Sequence, residues 1–220
     1  MRYRVASVAC TLSNCSFLGV PILEALFPEW VNAPAYSMVF FFSMSILGWT
    51  LVSAIYTRDK RYISVKKLLL NPATISLIIA LPFFFTGFKI SAENGYFLGQ
   101  LENMITVLAR MTTPLCMLIM GMRLATMPVK EIFSQPLPYL CILVNQIIFP
   151  LVALAILSIP VFDTELKWCM FVMCACPIAS VVLNYAEIAG QGQEMAAKCV
   201  LLGTLSCIIT LPVLSLLIAM

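Results

Sequence analysis

The sequence predicts an all-helical membrane protein with seven transmembrane segments, two of them broken within the span. Three observations carry this reading. Hydrophobic residues make up 62% of the 220 and charged residues only 10%, with a mean hydropathy of +1.01; soluble domains run nearer half apolar and a quarter charged. The apolar residues fall into seven runs, each near the roughly 20 residues needed to cross a bilayer. Two of those runs, 10–27 and 171–193, carry a proline and polar residues well inside them.

The first run begins at Val5 behind a basic N-terminal tetrapeptide. Ser13 and Asn14 interrupt its apolar core, so it reads as a span and not as a cleaved signal peptide. It ends near Phe27, and Pro28, Glu29, Asn32 and Pro34 form a short acidic turn. Residues 35–56 are a charge-free second span. Residues 57–67 then collect Arg58, Lys60, Arg61, Lys66 and Lys67 against a single acid, Asp59. A third span, 68–88, opens on Asn71-Pro72 and holds Pro82; 89–103 is expected to be a polar loop containing Gly95 and Gly99. The fourth span, 104–127, contains Arg110, Pro114 and Arg123, and 128–136 is a turn. The fifth, 137–160, carries Asn145, Gln146 and Pro150. A loop with Asp163, Glu165 and Lys167 leads to the sixth span, 171–193, and 196–220 is the seventh.

Most of the 13 Lys and Arg residues fall on one side if the N-terminus is placed in the cytoplasm and the spans alternate. The positive-inside rule therefore gives an inner N-terminus and an outer C-terminus, which is opposite to a seven-helix receptor. Catalysis has little to stand on. There is no histidine, and the candidate acids of an aspartyl intramembrane protease, Asp59 and Asp163, lie in loops. The nine cysteines form no CxxC pair and read as small apolar fillers, so no metal or other cofactor is expected.

The two broken runs carry the function. Proline removes a backbone N–H and frees the carbonyl one turn earlier. In hydrocarbon such groups are tolerated only against protein or a water-lined cavity. A pair of interrupted spans in corresponding positions marks a transporter's binding site. The second half of each broken helix starts with free N–H groups and a partial positive charge, which attracts an anion without a buried lysine. In the sixth span those donors fall around Ala179 and Ser180, after Pro177, with Asn184 following. In the first they fall around residues 21–23, after Gly19 and Pro21, with Asn14 adding an amide from the preceding half. Arg110 is either a buried functional charge or an anchor at the outer surface. Glu187 is either an interfacial acid or a titrating group at the inner mouth. Asn71, Asn145 and Gln146 are expected to bond neighbouring helices, Pro72, Pro82 and Pro150 to kink theirs, and Arg123 to snorkel.

Ser13-Asn14-Cys15-Ser16-Phe17-Leu18-Gly19-Val20-Pro21 resembles the SN-x-GF-x-G-x-P signature of the auxin efflux carrier family. Thr113-Pro114-Leu115 through Gly121 is similar to its TPL element. Cys176-Pro177-Ile178-Ala179-Ser180, Ala186-Glu187 and residues 199–212 are similar to its C-terminal third. Two departures stand out: Ser16 replaces a usual glycine, and Ala189-Gly190-Gln191-Gly192 replaces Tyr-Gly-Gly-Asp.

The resemblance implies a ten-helix inverted-repeat architecture of the bile acid/sodium symporter type, in which helices four and nine are broken and cross. Residues 1–56 would then be the last two helices of the first repeat, 57–67 a cytoplasmic basic connector, and 68–220 the second repeat, with three helices not represented. It further implies a secondary transporter, a permease or efflux carrier working by an elevator-like motion. The substrate would be a small organic anion, auxin in plants and malate- or malonate-like dicarboxylates in bacteria. Ser16 joins the candidate site residues on this ground. Partners would be that anion, protons or sodium as coupling ion, the lipid bilayer of a bacterial plasma membrane and a second copy of the chain, with no nucleic acid. The other reading open at this point is a truncated, inactive carrier or a non-transporting membrane scaffold.

Overall fold

The prolines and glycines of this chain decide where its helices start, widen and stop. The computed structural model describes residues 1–57, 72–88, 90–91, 93, 95–125 and 133–218. Nine helices are seen among them. They are α1 (Arg2–Thr11), α2 (Cys15–Leu26), α3 (Ala33–Tyr56), α4 (Pro72–Thr86), α5 (Tyr96–Ala125), α6 (Pro136–Leu157), α7 (Thr164–Ala175), α8 (Val181–Ile188) and α9 (Gln193–Ser215). The described residues include no β-strand, only an isolated bridge between Ser13 and Ile178. All but the first residue of the basic connector at 57–67 and most of the turn at 128–136 lie outside the described residues.

Among the described residues three helices are long and apolar enough to cross a membrane: α3 with 24 residues, α6 with 22 and α9 with 23. By contrast α1, α7 and α8 have 10, 12 and 8 residues, too short to span alone at about 1.5 Å per residue. They form two broken pairs, α1 with α2 and α7 with α8. The expected loop at 89–103 is corrected: α5 already begins at Tyr96, directly after Gly95, whose φ of 130° stops any helix from starting earlier. The polar residues at 100–103 are its exposed first turns and not a linker.

The broken pairs form the centre of the fold. Val5 and Ala9 of α1, and Leu12 directly after it, pack with Val182 and Ala186 of α8, Ala196 and Cys199 of α9, and Cys141 of α6. A second cluster joins Leu23 of α2 to Ala33 of α3, Phe171 and Met173 of α7 and Leu214 of α9. Burial of such side chains against protein, where lipid would be equally apolar, points to packing and close approach as the stabilising terms. The outer helices differ. α4 touches α3 and α5 touches α9, while Ile79, Phe85, Leu108 and Leu118 stay exposed, a surface suited to lipid.

Both ends of this core are tied. At one end the Tyr56 hydroxyl donates to the Gln191 carbonyl at 3.0 Å, and Arg4 donates to the Tyr56 carbonyl at 3.3 Å. Gly192 makes this approach feasible: its φ is 82°, and a Cβ there would lie 2.8 Å from Val5 and 3.1 Å from the Tyr56 hydroxyl. At the other end the Asn32 backbone N–H and side-chain amide donate to the two Glu165 oxygens at 3.0 and 3.2 Å. Asp163 caps α7 by accepting from the Glu165 N–H.

Candidate functional site

The two breaks meet and hold each other open. After α1 the chain turns extended at Leu12 (φ −104°, ψ 111°); after α7 it does so at Cys176 (φ −61°, ψ 150°). The Asn14 N–H donates to the Pro177 carbonyl at 2.6 Å, and the Ala179 N–H donates to the Leu12 carbonyl at 2.9 Å. Two antiparallel peptides thus satisfy groups that each break leaves without a helical partner.

The first break stands at Leu12–Asn14, before the position that the sequence suggested. Pro21 lies on an exposed face inside a continuous helix, in the first turn after a π turn that spans Cys15–Gly19. The Val20 N–H bonds back five residues to the Cys15 carbonyl. A proline ring collides with the carbonyl four residues earlier in an α-helix, and a widened turn moves that carbonyl aside. The same arrangement recurs in α6, where the π turn Val144–Ile148 directly precedes Phe149 and Pro150. Pro21 is therefore absorbed, and the donors of the first broken helix come from Cys15, Ser16 and Phe17, not from residues 21–23.

Those three N–H groups, and those of Ser180 and Val181 at the start of α8, have no carbonyl partner among the described residues. Both helix starts open on one cavity of about 260 Å³. Asn14, Ser16, Ala179, Ser180 and Asn184 line it. Asn14 is only 4% exposed and its side-chain amide makes no hydrogen bond among the described residues. The Ser13 hydroxyl, also at this wall, is buried and has no hydrogen-bond partner among the described residues. The opposite wall is α3, through Phe41, Met44, Ser45 and Gly48. None of the described lining residues carries a charge.

The remaining candidates do not line this cavity. Gly19 is a contact point between the broken helices: a Cβ there would lie 2.6 Å from the Met173 sulfur and 3.0 Å from that of Cys176. Pro177 contributes its carbonyl to the pairing. Arg110 is exposed in the middle of α5, and Glu187 is exposed near the end of α8. Sequence reading missed the α3 wall and Tyr185. Residues 35–56 looked like an unremarkable charge-free span, and only the Ser45–Gly48 pair of small residues hinted that something approaches closely. In the structure the Tyr185 hydroxyl lies against Gly48, 2.9 Å from where a Cβ would stand.

Behind the crossover, α6 supplies support. Gln146 is fully buried; it donates to the Gly203 carbonyl at 2.6 Å and accepts from Ser206 and Thr210 at 2.9 and 2.8 Å. Asn145 donates to the Cys10 carbonyl at 3.4 Å, near the end of α1. Both amides bond neighbouring helices, as the sequence suggested, and the Gln146 network fixes α9 where Gly203 packs under Ile178.

A family model described as membrane transport protein matches residues 56–215. That span covers the second break and its supports, while the first break stands before it. No curated relative matches the chain. No solved structure matches it either. The match extends over most of the chain, from the end of α3 to the end of α9, and the chain belongs to the membrane transport protein family, the family of the auxin efflux carriers.

Proposed function

We propose that this membrane transport protein is a secondary transporter for a small organic anion, whose carboxylate is held at the crossover. The observation that carries this is the convergence of two helix starts on one uncharged cavity beside the uncommitted Asn14 amide. Each helix start brings N–H donors that lack a carbonyl partner among the described residues, and a partial positive charge. A carboxylate there receives backbone N–H groups, the amide of Asn14 and the hydroxyls of Ser16 and Ser180, with no acidic lining residue to repel it. Because no fixed positive charge is committed, the unloaded site carries no buried ion to desolvate.

Transport follows if the crossover moves as a unit relative to α3, exposing the cavity alternately in an elevator-like manner. The driving force would be the substrate gradient, the membrane potential, or protons or sodium. The Lys and Arg distribution supports a cytoplasmic N-terminus. Asn14→Ala should weaken carboxylate binding about ten- to a hundredfold, the value of a charge-assisted hydrogen bond of ~1.5–3 kcal/mol. Asn14→Asp should be worse. Titration of acetate and malonate into the purified chain in phosphatidylcholine nanodiscs checks this, and counterflow in proteoliposomes extends it to transport. Unchanged affinity in Asn14→Asp would place the anion elsewhere.

A further inference from the structure

A second cavity, of about 300 Å³, adjoins the first along the groove between α1 and α3. Leu12 and Met44 belong to the walls of both. Beyond them the lining changes character: Val8, Leu47, Leu51, Val52 and Ile55 are aliphatic. Its two polar residues present no free donor. The Ser7 hydroxyl donates to the Tyr3 carbonyl at 2.9 Å, and that of Thr11 donates to the Val8 carbonyl at 3.1 Å, so both are turned back onto their own helix. Between the compartments stands Met44, half-buried and unbranched, a side chain that changes shape at low cost.

From this juxtaposition we infer that the groove between α1 and α3 is a tail subsite, and that the substrate is a monocarboxylate with an unbranched apolar body and not a dicarboxylate. The inference rests on the carboxylate reading of the crossover cavity. The head is held at Asn14 and the two helix starts; the tail passes Met44 and lies against Val8, Leu47 and Leu51. A second carboxylate at that place would face only methyl and methylene groups and would lose its hydration without a donor in return. A tail gains instead by leaving water, at about fourfold in affinity per methylene.

The test is a series of straight-chain monocarboxylates from acetate to octanoate, with malonate and succinate beside them. Each is titrated into the purified chain in phosphatidylcholine nanodiscs, with empty nanodiscs subtracted to remove partition into lipid. Affinity should rise about fourfold per methylene until the groove is filled, and succinate should bind at least tenfold more weakly than butyrate. Leu51→Trp occupies the groove from an exposed position outside the crossover cavity. It should flatten the series while leaving acetate unchanged; Ile55→Trp is the second variant should the first not fold. Three results overturn the inference. If all the acids bind alike, or the dicarboxylates bind best, the tail subsite is refuted and the carboxylate site stands. A rise that persists undiminished in both tryptophan variants places the tail elsewhere. Binding of no carboxylate at all removes the head site and the tail subsite together.

Discussion

The two breaks at the centre of this molecule reach the same geometry by different routes. At the second, Pro177 follows Cys176 in the chain, lacks an N–H, and pushes the preceding residue to extended backbone, where it is found. At the first, no proline stands within the break: Leu12 is extended and Asn14 has left the helical region (φ −80°, ψ 55°) although nothing in their own chemistry forbids a helix. The proline nearby, Pro21, lies after the break and only widens a turn. What opens the first break is the second one. The Pro177 carbonyl and the Ala179 N–H are fixed in place by local chemistry and offer Asn14 and Leu12 the partners that a continuous helix would otherwise supply. One break is written in its own sequence, and the other is imposed by its neighbour.

That difference can be put under strain. Ala179→Pro removes the donor to the Leu12 carbonyl and leaves a buried acceptor without a partner, at about 1–3 kcal/mol. It should lower the melting temperature in detergent markedly and expose the Asn14 amide to hydrogen exchange. If exchange at Asn14 stays slow, the first break does not depend on its neighbour. Pro177→Ala should cost less, about 0.4–1 kcal/mol, mainly through the greater freedom of the unfolded chain. Both pairing bonds use groups that this change leaves in place. A larger loss than in Ala179→Pro would mean that local stiffness and not pairing holds the crossover. The smallest effect is expected for Pro21→Ala, below about 0.5 kcal/mol, because Pro21 is exposed and the π turn already accommodates its ring. Loss of carboxylate binding in that variant alone would show that the widened turn aims the donors of Cys15–Phe17.

The contrast also explains what could be read in advance. Asn14, Ser180 and Asn184 were legible because polar residues next to backbone breakers are rare in apolar runs, Ala179 because it follows Pro177, and Ser16 through the family resemblance; all five line the cavity. Gly19 and Pro21 carried the same kind of signal but serve helix packing and turn widening. The wall formed by Phe41 and Met44 left no mark, since an apolar helix facing a cavity and one facing lipid have the same composition, and only the small residues Ser45 and Gly48 hinted at a close approach. Arg110 and Glu187 stood out as charges in apolar surroundings, yet both lie away from the cavity on exposed faces.

The sequence by itself determined that this is a helical membrane chain, that its helix must break or bend at Pro177, and that Asn14 and Ser180 lie near interruptions. These follow from transfer energies and from the missing N–H of proline, which are properties of single residues and their nearest neighbours. Only the tertiary structure decided where the first helix breaks, that Gly19, Gly192 and Gly203 are contact points, and that α3 closes the cavity. Those outcomes depend on which carbonyl or side chain arrives from elsewhere in the chain, and a hydrogen bond between Asn14 and Pro177 leaves no trace in the local order of residues.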